Sequence, residues 1–161
     1  MKPQLKVKKR LEKAIIPEYK KEKDSGFDLS VCLDPNERDV FKRVEGQLSF
    51  NLFPGQIKLF DTGLTFEIPE GYEVQIRPRS GLACKHGVTV VNAPGTVDEL
   101  YRGPIKVGLA NVSQKYFTIE DGMRVAQAVL CPVTQANIVE VDEISEDTDR
   151  GSGGLGSTGL K

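Results

Sequence analysis

The sequence predicts an all-β chain, folded as a sandwich or barrel. Three observations carry that expectation. Short runs of alternating or β-branched apolar residues recur along most of the 161 residues. Turn-forming groups (Pro54-Gly55, Pro69-Glu-Gly71, Pro94-Gly95 and Glu120-Asp-Gly122) separate them. No pattern of helical period exceeds about three turns.

Taken in order, strands are expected at Leu5–Val7, Phe27–Val31, Leu48–Phe53, Gln56–Phe60, Leu64–Ile68 and Tyr72–Ile76. Further strands are expected at Val88–Val91, Ile105–Leu109, Ala128–Cys131 and Ile138–Val141. One short helix is expected at Ser80–Lys85, with Ser80 as its N-cap. The stretch from Asp34 to Leu52, with Phe41, Phe50 and Phe53 in or beside it, suggests an extra hairpin or loop. The apolar pattern stops after Glu143. Residues 1–143 are therefore expected to form the domain, and 144–161 a flexible, Gly-rich tail.

Composition narrows the function classes. An apolar fraction of 39%, a charged fraction of 28% and a net charge of −1 describe a soluble globular chain. They give no global call for nucleic acid or membrane. No apolar run approaches the ~20 residues of a membrane span, and the charged start is unlike a secretory signal. Nine Lys/Arg in residues 1–23 and six acids in 137–149 read as solvated edge-strand faces. Cys32, Cys84 and Cys131 are an odd, scattered set, which argues for free thiols in a reducing compartment, the cytoplasm, or the nucleus if the source is eukaryotic.

Four stretches carry chemistry-bearing residues. In DSGFDLS (24–30), Asp28 lies between Phe27 and Leu29, so strand alternation turns it to the opposite face. In RPRSGLA (77–83), two arginines precede Ser80, whose hydroxyl and the free N–H groups of the turn it opens suit an anion, with Arg79 able to add a bidentate clamp. In VNAPGTVDELYRGPI (91–105), Asn92 and Asp98 bracket a Pro-Gly turn and are expected to meet at a hairpin mouth. Asn92 offers a donor and an acceptor, Asp98 can take a proton from water, and Tyr101 presents a flat ring. Arg124 and Gln127 in GMRVAQ (122–127) form the fourth, with Arg150-GSGGLGSTG-159 behind it. Each also has a plain structural reading, as a polar strand face, a capped turn or a solvated linker. His86 is the single histidine, and Cys84-x-His86 has no second half, which disfavours a zinc site. No nucleophile triad motif, Walker loop or strand–GxGxxG–helix pattern occurs.

In this order, DSGFDLS, PRSGLA, NAPGTVDELYRG, GMRVAQ and RGSGGLGSTG resemble the five motifs of the trimeric deoxyuridine triphosphatase (dUTPase) family, from about Leu5 to Gly159. The resemblance implies a β-barrel or jelly-roll subunit of a homotrimer with active sites shared between chains. It implies Mg2+-dependent hydrolysis of dUTP to dUMP and pyrophosphate, limiting uracil incorporation into DNA and supplying dUMP for dTMP synthesis. Asp98 would be the general base, aiming water at the α-phosphorus, and Asp28 would lie near the metal's water shell or the base. Mg2+ would be held by the triphosphate and not directly by the protein. Arg79, Ser80, Gly81, Gln127, Arg150, Ser157 and Thr158 would hold phosphates. Asn92, Gly95 and Val97 would read uracil, while Tyr101 would lie against the deoxyribose and exclude a ribose hydroxyl. The tail would close as a lid on the nucleotide.

Two positions depart from the family pattern. Phe27 replaces a commoner Tyr, and Leu155 stands where a Phe usually stacks on uracil. A related reading is a dCTP deaminase, alone or bifunctional, which would need a glutamate such as Glu99. A different class is a non-catalytic, partner-binding trimer of the same fold.

Overall fold

The chain is described by a computed structural model covering residues 2–36, 42–44, 46–145, 147–152 and 154, with backbone alone at 42–44. The strands are β1 (Lys6–Lys9), β2 (Phe27–Ser30), β3 (Lys42–Val44), β4 (Gln47–Leu52), β5 (Ile57–Glu67) and β6 (Tyr72–Pro78). They continue as β7 (Val88–Val90), β8 (Gly95–Val97), β9 (Ile105–Asn111), β10 (Phe117–Glu120) and β11 (Arg124–Pro132). Helix α1 (Ser80–His86) lies between β6 and β7. All described pairings are antiparallel, in three sheets ordered β1-β5-β9-β7, β10-β4-β3 and β2-β11-β6-β8.

The alternation read from the sequence fills the core. Phe27 and Leu29 of β2, Val74 and Ile76 of β6, and Ile105, Val107 and Leu109 of β9 are buried together. Phe60 and Phe66 of β5 join them, each meeting another ring edge-on: Phe50 on Phe60 and Phe27 on Phe66. Burying side chains of this size removes several kcal/mol of unfavourable hydration, at roughly 1.5–3 kcal/mol each. The buried polar groups are satisfied. Thr62 Oγ1 donates to Ile105 O at 2.7 Å, and Asn111 Nδ2 donates to the carbonyls of Leu52 and Lys115, each at 2.8 Å.

Several elements differ from expectation. The strands expected at Gln56–Phe60 and Leu64–Ile68 are one strand, β5, with a register shift between Asp61 and Leu64. Gly63 makes that irregularity possible. Its φ is +71°, and a Cβ there would stand 2.7 Å from the Ala14 Cβ. The segment 34–52 carries the antiparallel pair β3–β4, with β4 paired to β10 on its other edge. Three further strands, β3, β8 and β10, were not expected from the sequence. The strand expected at Ile138–Val141 does not form. Ile138 is 94% exposed, and the segment has no ladder partner among the described residues.

The N-terminus of α1 also needs correction. Arg79, extended at φ −84° and ψ 125°, holds the N-cap position, and Ser80 is the first helical residue. The first turn closes from Ala83 N to Arg79 O at 3.0 Å, with no side-chain cap. Ser80 thus stands one place too late to cap.

Candidate active site

Asn92 and Asp98 do come together, but not across a hairpin. β7 pairs with β9 in one sheet, whereas β8 pairs with β6 in another. The Val91–Pro94 turn is therefore a corner between sheets, with Val91 N still bonded to Gly108 O at 2.9 Å. A groove of about 460 Å³ opens at this corner. Asn92, Gly95, Val97, Asp98 and Tyr101 all line it, with Ile76 among the apolar residues of the wall.

Local bonds fix the loop that carries Asp98. Tyr101 N donates to Asp98 O at 3.1 Å, closing a turn. Arg102 Nη1 reaches the carbonyls of Glu99 and Tyr101, and Glu99 Oε2 accepts from Gly71 N at 2.8 Å. Tyr101 Oη donates to Pro104 O at 3.1 Å. Arg102 therefore fastens the turn's backbone. Asp98 itself is exposed, and its carboxylate has no hydrogen-bond or ion-pair partner among the described residues. A carboxylate free at a groove rim can take a proton from a water placed there. The Asn92 amide offers both a donor and an acceptor to the groove.

A second constellation joins the first, second and fourth stretches. Asp28 Oδ2 accepts from Arg124 Nη1 at 2.9 Å, and Asp28 Oδ1 lies 3.1 Å from Arg79 Nε. Arg79 Nη1 donates to Arg124 O at 2.8 Å. A register shift between Arg124 and Ala126 accompanies this contact, where β11 meets β2. One carboxylate between two guanidinium groups leaves the cluster with a net positive charge, suited to an anion. Gln127 stands opposite Asp28 in the ladder. A Cβ on Gly26 would come 2.8 Å from Gln127 Cγ, so that glycine lets the glutamine side chain lie across the strand end. Ser80 and Gly81 are exposed at the start of α1, and a Cβ added to Gly81 would meet nothing.

Both constellations adjoin one sheet, with residues in neighbouring rows. Asp28, Gln127 and Arg77 form one row across β2, β11 and β6. Phe27, Ala128, Ile76 and Gly95 form the next row. Successive residues alternate faces. The second row is buried and includes the groove residues Ile76 and Gly95; the Asp28 row faces outward.

Arg150 lies on an exposed turn, where Gly151 N donates to Thr148 Oγ1 at 2.9 Å. Leu155, Ser157 and Thr158 lie outside the described residues. Among the described residues, no group of three or more His, Cys, Asp or Glu side chains could hold a metal ion. Both Asp28 oxygens face arginines. Sequence reasoning left Arg124 without a role because its partnership with Asp28 depends on strand register, which local pattern does not show.

The dUTPase family model matches residues 43–159. The chain is 53% identical over 155 residues to deoxyuridine 5'-triphosphate nucleotidohydrolase of Nautilia profundicola, covering 96% of this chain and 98% of that protein. It is 50% identical over 145 residues to the protein of that name from Rhizobium etli, covering 90% and 85%. Among solved structures it is similar to a variant dUTPase of Staphylococcus bacteriophage 80alpha with dUpNHpp, at TM-score 0.78 and 22% identity, covering 98% of this chain and 99% of that one. A variant dUTPase from phage phi11 of S. aureus, described with a structural Mg(II) ion, gives TM-score 0.70 at 20% identity, covering 88% and 98%. On the sequence matches, supported by the shared all-β jelly-roll-like fold, this chain belongs to the dUTPase family.

Proposed function

We propose that this chain hydrolyses dUTP to dUMP and pyrophosphate, limiting uracil incorporation into DNA and supplying dUMP for dTMP synthesis. The observation that carries the reading is the Asp98 carboxylate, without a partner among the described residues, at the groove it shares with Asn92 and Tyr101. Asn92 reads the uracil edge, with Gly95 and Val97 forming the floor. Tyr101 lies on the deoxyribose. Asp98 takes a proton from water as the water oxygen bonds to the α-phosphorus. The bond from that phosphorus to the oxygen bridging to the β-phosphate then breaks, and pyrophosphate leaves. Donors aimed at charge that builds in this step lower its barrier.

Arg79, Ser80, Gly81 and Gln127 bind the phosphates, with Asp28 holding Arg79 and Arg124 in place. This reading makes Asp28 a holder of arginines before anything else. Mg2+ fits a donor set without an acid cage, because it binds phosphate oxygens and keeps several waters. When bound, the ion would neutralise triphosphate charge. Arg150, Leu155, Ser157 and Thr158 of the tail complete the site as a lid, which slower proteolysis of the tail with a non-hydrolysable dUTP analogue would reveal.

The homotrimer with shared sites follows from the family resemblance, with the groove of one chain completed by the arginines of another. Glu99, which the deaminase alternative would need, is committed to the Gly71 amide. The test is release of pyrophosphate from dUTP, dCTP, dTTP and UTP with and without Mg2+. Release from dUTP alone, and only with metal, is expected. Ammonia from dCTP would overturn the reading.

A further inference from the structure

Tyr101 is exposed at the groove, yet its ring has a defined seat. Its hydroxyl reaches Pro104 O at 3.1 Å, which closes the side chain back over Gly103. A Cβ placed on Gly103 would stand 2.6 Å from Tyr101 Cζ and 3.0 Å from Cε2. Real Cβ atoms do not come that near a ring carbon, so the ring can occupy this position only over a residue without a side chain.

Gly103 has no positive φ among the backbone exceptions, so conformational freedom does not explain the glycine. The space it leaves is taken by Tyr101. The three nearest atoms a Cβ would meet all belong to that one side chain. The ring is 43% exposed and can swing into solvent, so a methyl group at 103 would displace it rather than break the fold. Gly26 is the opposite case: there the added Cβ meets the Ala128 carbonyl at 2.7 Å, and backbone cannot swing aside.

We propose that Gly103 is a positioning residue that seats the Tyr101 ring in the groove and so sets discrimination against a ribonucleotide. The inference rests on the proposed role of Tyr101 against the deoxyribose. Gly103 touches no substrate in this account; it acts through the ring. A displaced ring opens room for a 2′-hydroxyl and loosens the sugar, whereas Asp98 stays held by the Asp98–Tyr101 backbone turn.

The experiment measures kcat and KM on dUTP and UTP for the full-length protein and for Gly103→Ala, Tyr101→Ala and the double variant. Gly103→Ala is expected to lower the preference for dUTP over UTP by about tenfold or more, the scale at which a pocket loses discrimination of one small group. The loss should appear chiefly in KM, with Tm unchanged. In the Tyr101→Ala background the added Gly103→Ala change should have no further effect, because the ring it would strike is gone. Losses that instead multiply in the double variant would assign Gly103 a purely structural role and overturn the proposal, as would an unchanged dUTP preference in Gly103→Ala. A wild-type protein that does not hydrolyse dUTP would sink the substrate reading itself, which separates the two failures. Should Gly103→Ala alone not fold, a folded double variant would still identify the ring as what the methyl strikes; an unfolded one would overturn the proposal.

Discussion

Asp28 shows how much one residue's meaning depends on its neighbours in space. Alternation alone turned it away from Phe27 and Leu29, and it does face outward. The two arginines that grip it come from 51 and 96 positions along the chain, and pattern could not pair them. The carboxylate is partly buried while Arg79 and Arg124 stay substantially exposed, so the pairs add little to stability, at most about 1 kcal/mol each. Asp28→Asn should therefore leave Tm nearly unchanged, yet raise KM for dUTP as the arginines lose their fixed directions; steady-state kinetics beside a thermal melt separates the two. Asp98→Asn should instead cost at least about 100-fold in kcat, the usual contribution of a general base, and should not alter folding, because no described group bonds to that carboxylate. Wild-type turnover in that variant would remove Asp98 from the chemistry. The thiols differ in the same local way. Burial pushes the Cys32 thiol up from its ordinary value, while Cys84 is exposed. A folded value raised above the unfolded one gives stability that is full below the unfolded thiol's pKa and lost as pH rises through the folded one. At pH 8 iodoacetamide should label Cys84 readily and Cys32 only on unfolding.

At the scale of elements, length alone did not decide legibility: three-residue β7 was expected and three-residue β8 was not. β6, β9 and the core-facing side of β5 follow directly from their apolar spacing. β8 has three residues and its role is to turn a corner, so its pairing with β6 rather than β7 is a tertiary fact. The apolar Ile138–Val141 run shows the limit of the rule: a strand pattern without a neighbouring edge stays unpaired in one chain. Turn glycines were read as punctuation, but Gly63 sits inside a strand and permits its irregularity. Gly63→Ala should cost about 2–4 kcal/mol, combining a left-handed backbone penalty with overpacking against Ala14 and Cys32. Urea unfolding would measure it. A loss under 1 kcal/mol would mean the strand tolerates a regular register there. Any folded fraction should keep its KM, since Gly63 lies outside the groove lining.

At the scale of the whole molecule, the motifs were legible one by one, and their arrangement about one sheet was not. Strand register decides that arrangement: the Asp28 row and the Gly95 row are neighbours in one sheet and point opposite ways. The buried row carries Ile76 and Gly95 of the groove wall, and the outward row carries Asp28, which holds the two arginines. If sites form between chains, a subunit lacking Asp98 can lend its arginines, and one lacking Arg79 can lend its groove. Asp98→Ala and Arg79→Ala should each be nearly inactive alone. Unfolded together in equal amounts and refolded, they should recover roughly a quarter of wild-type turnover, because each site draws its two constellations from different, randomly assorted subunits. Wild-type Tm in both single variants would exclude misfolding as the cause of their inactivity. A mixture no more active than its parts would mean that the groove and the arginines serve one chain's own site, and the shared-site trimer would have to be abandoned.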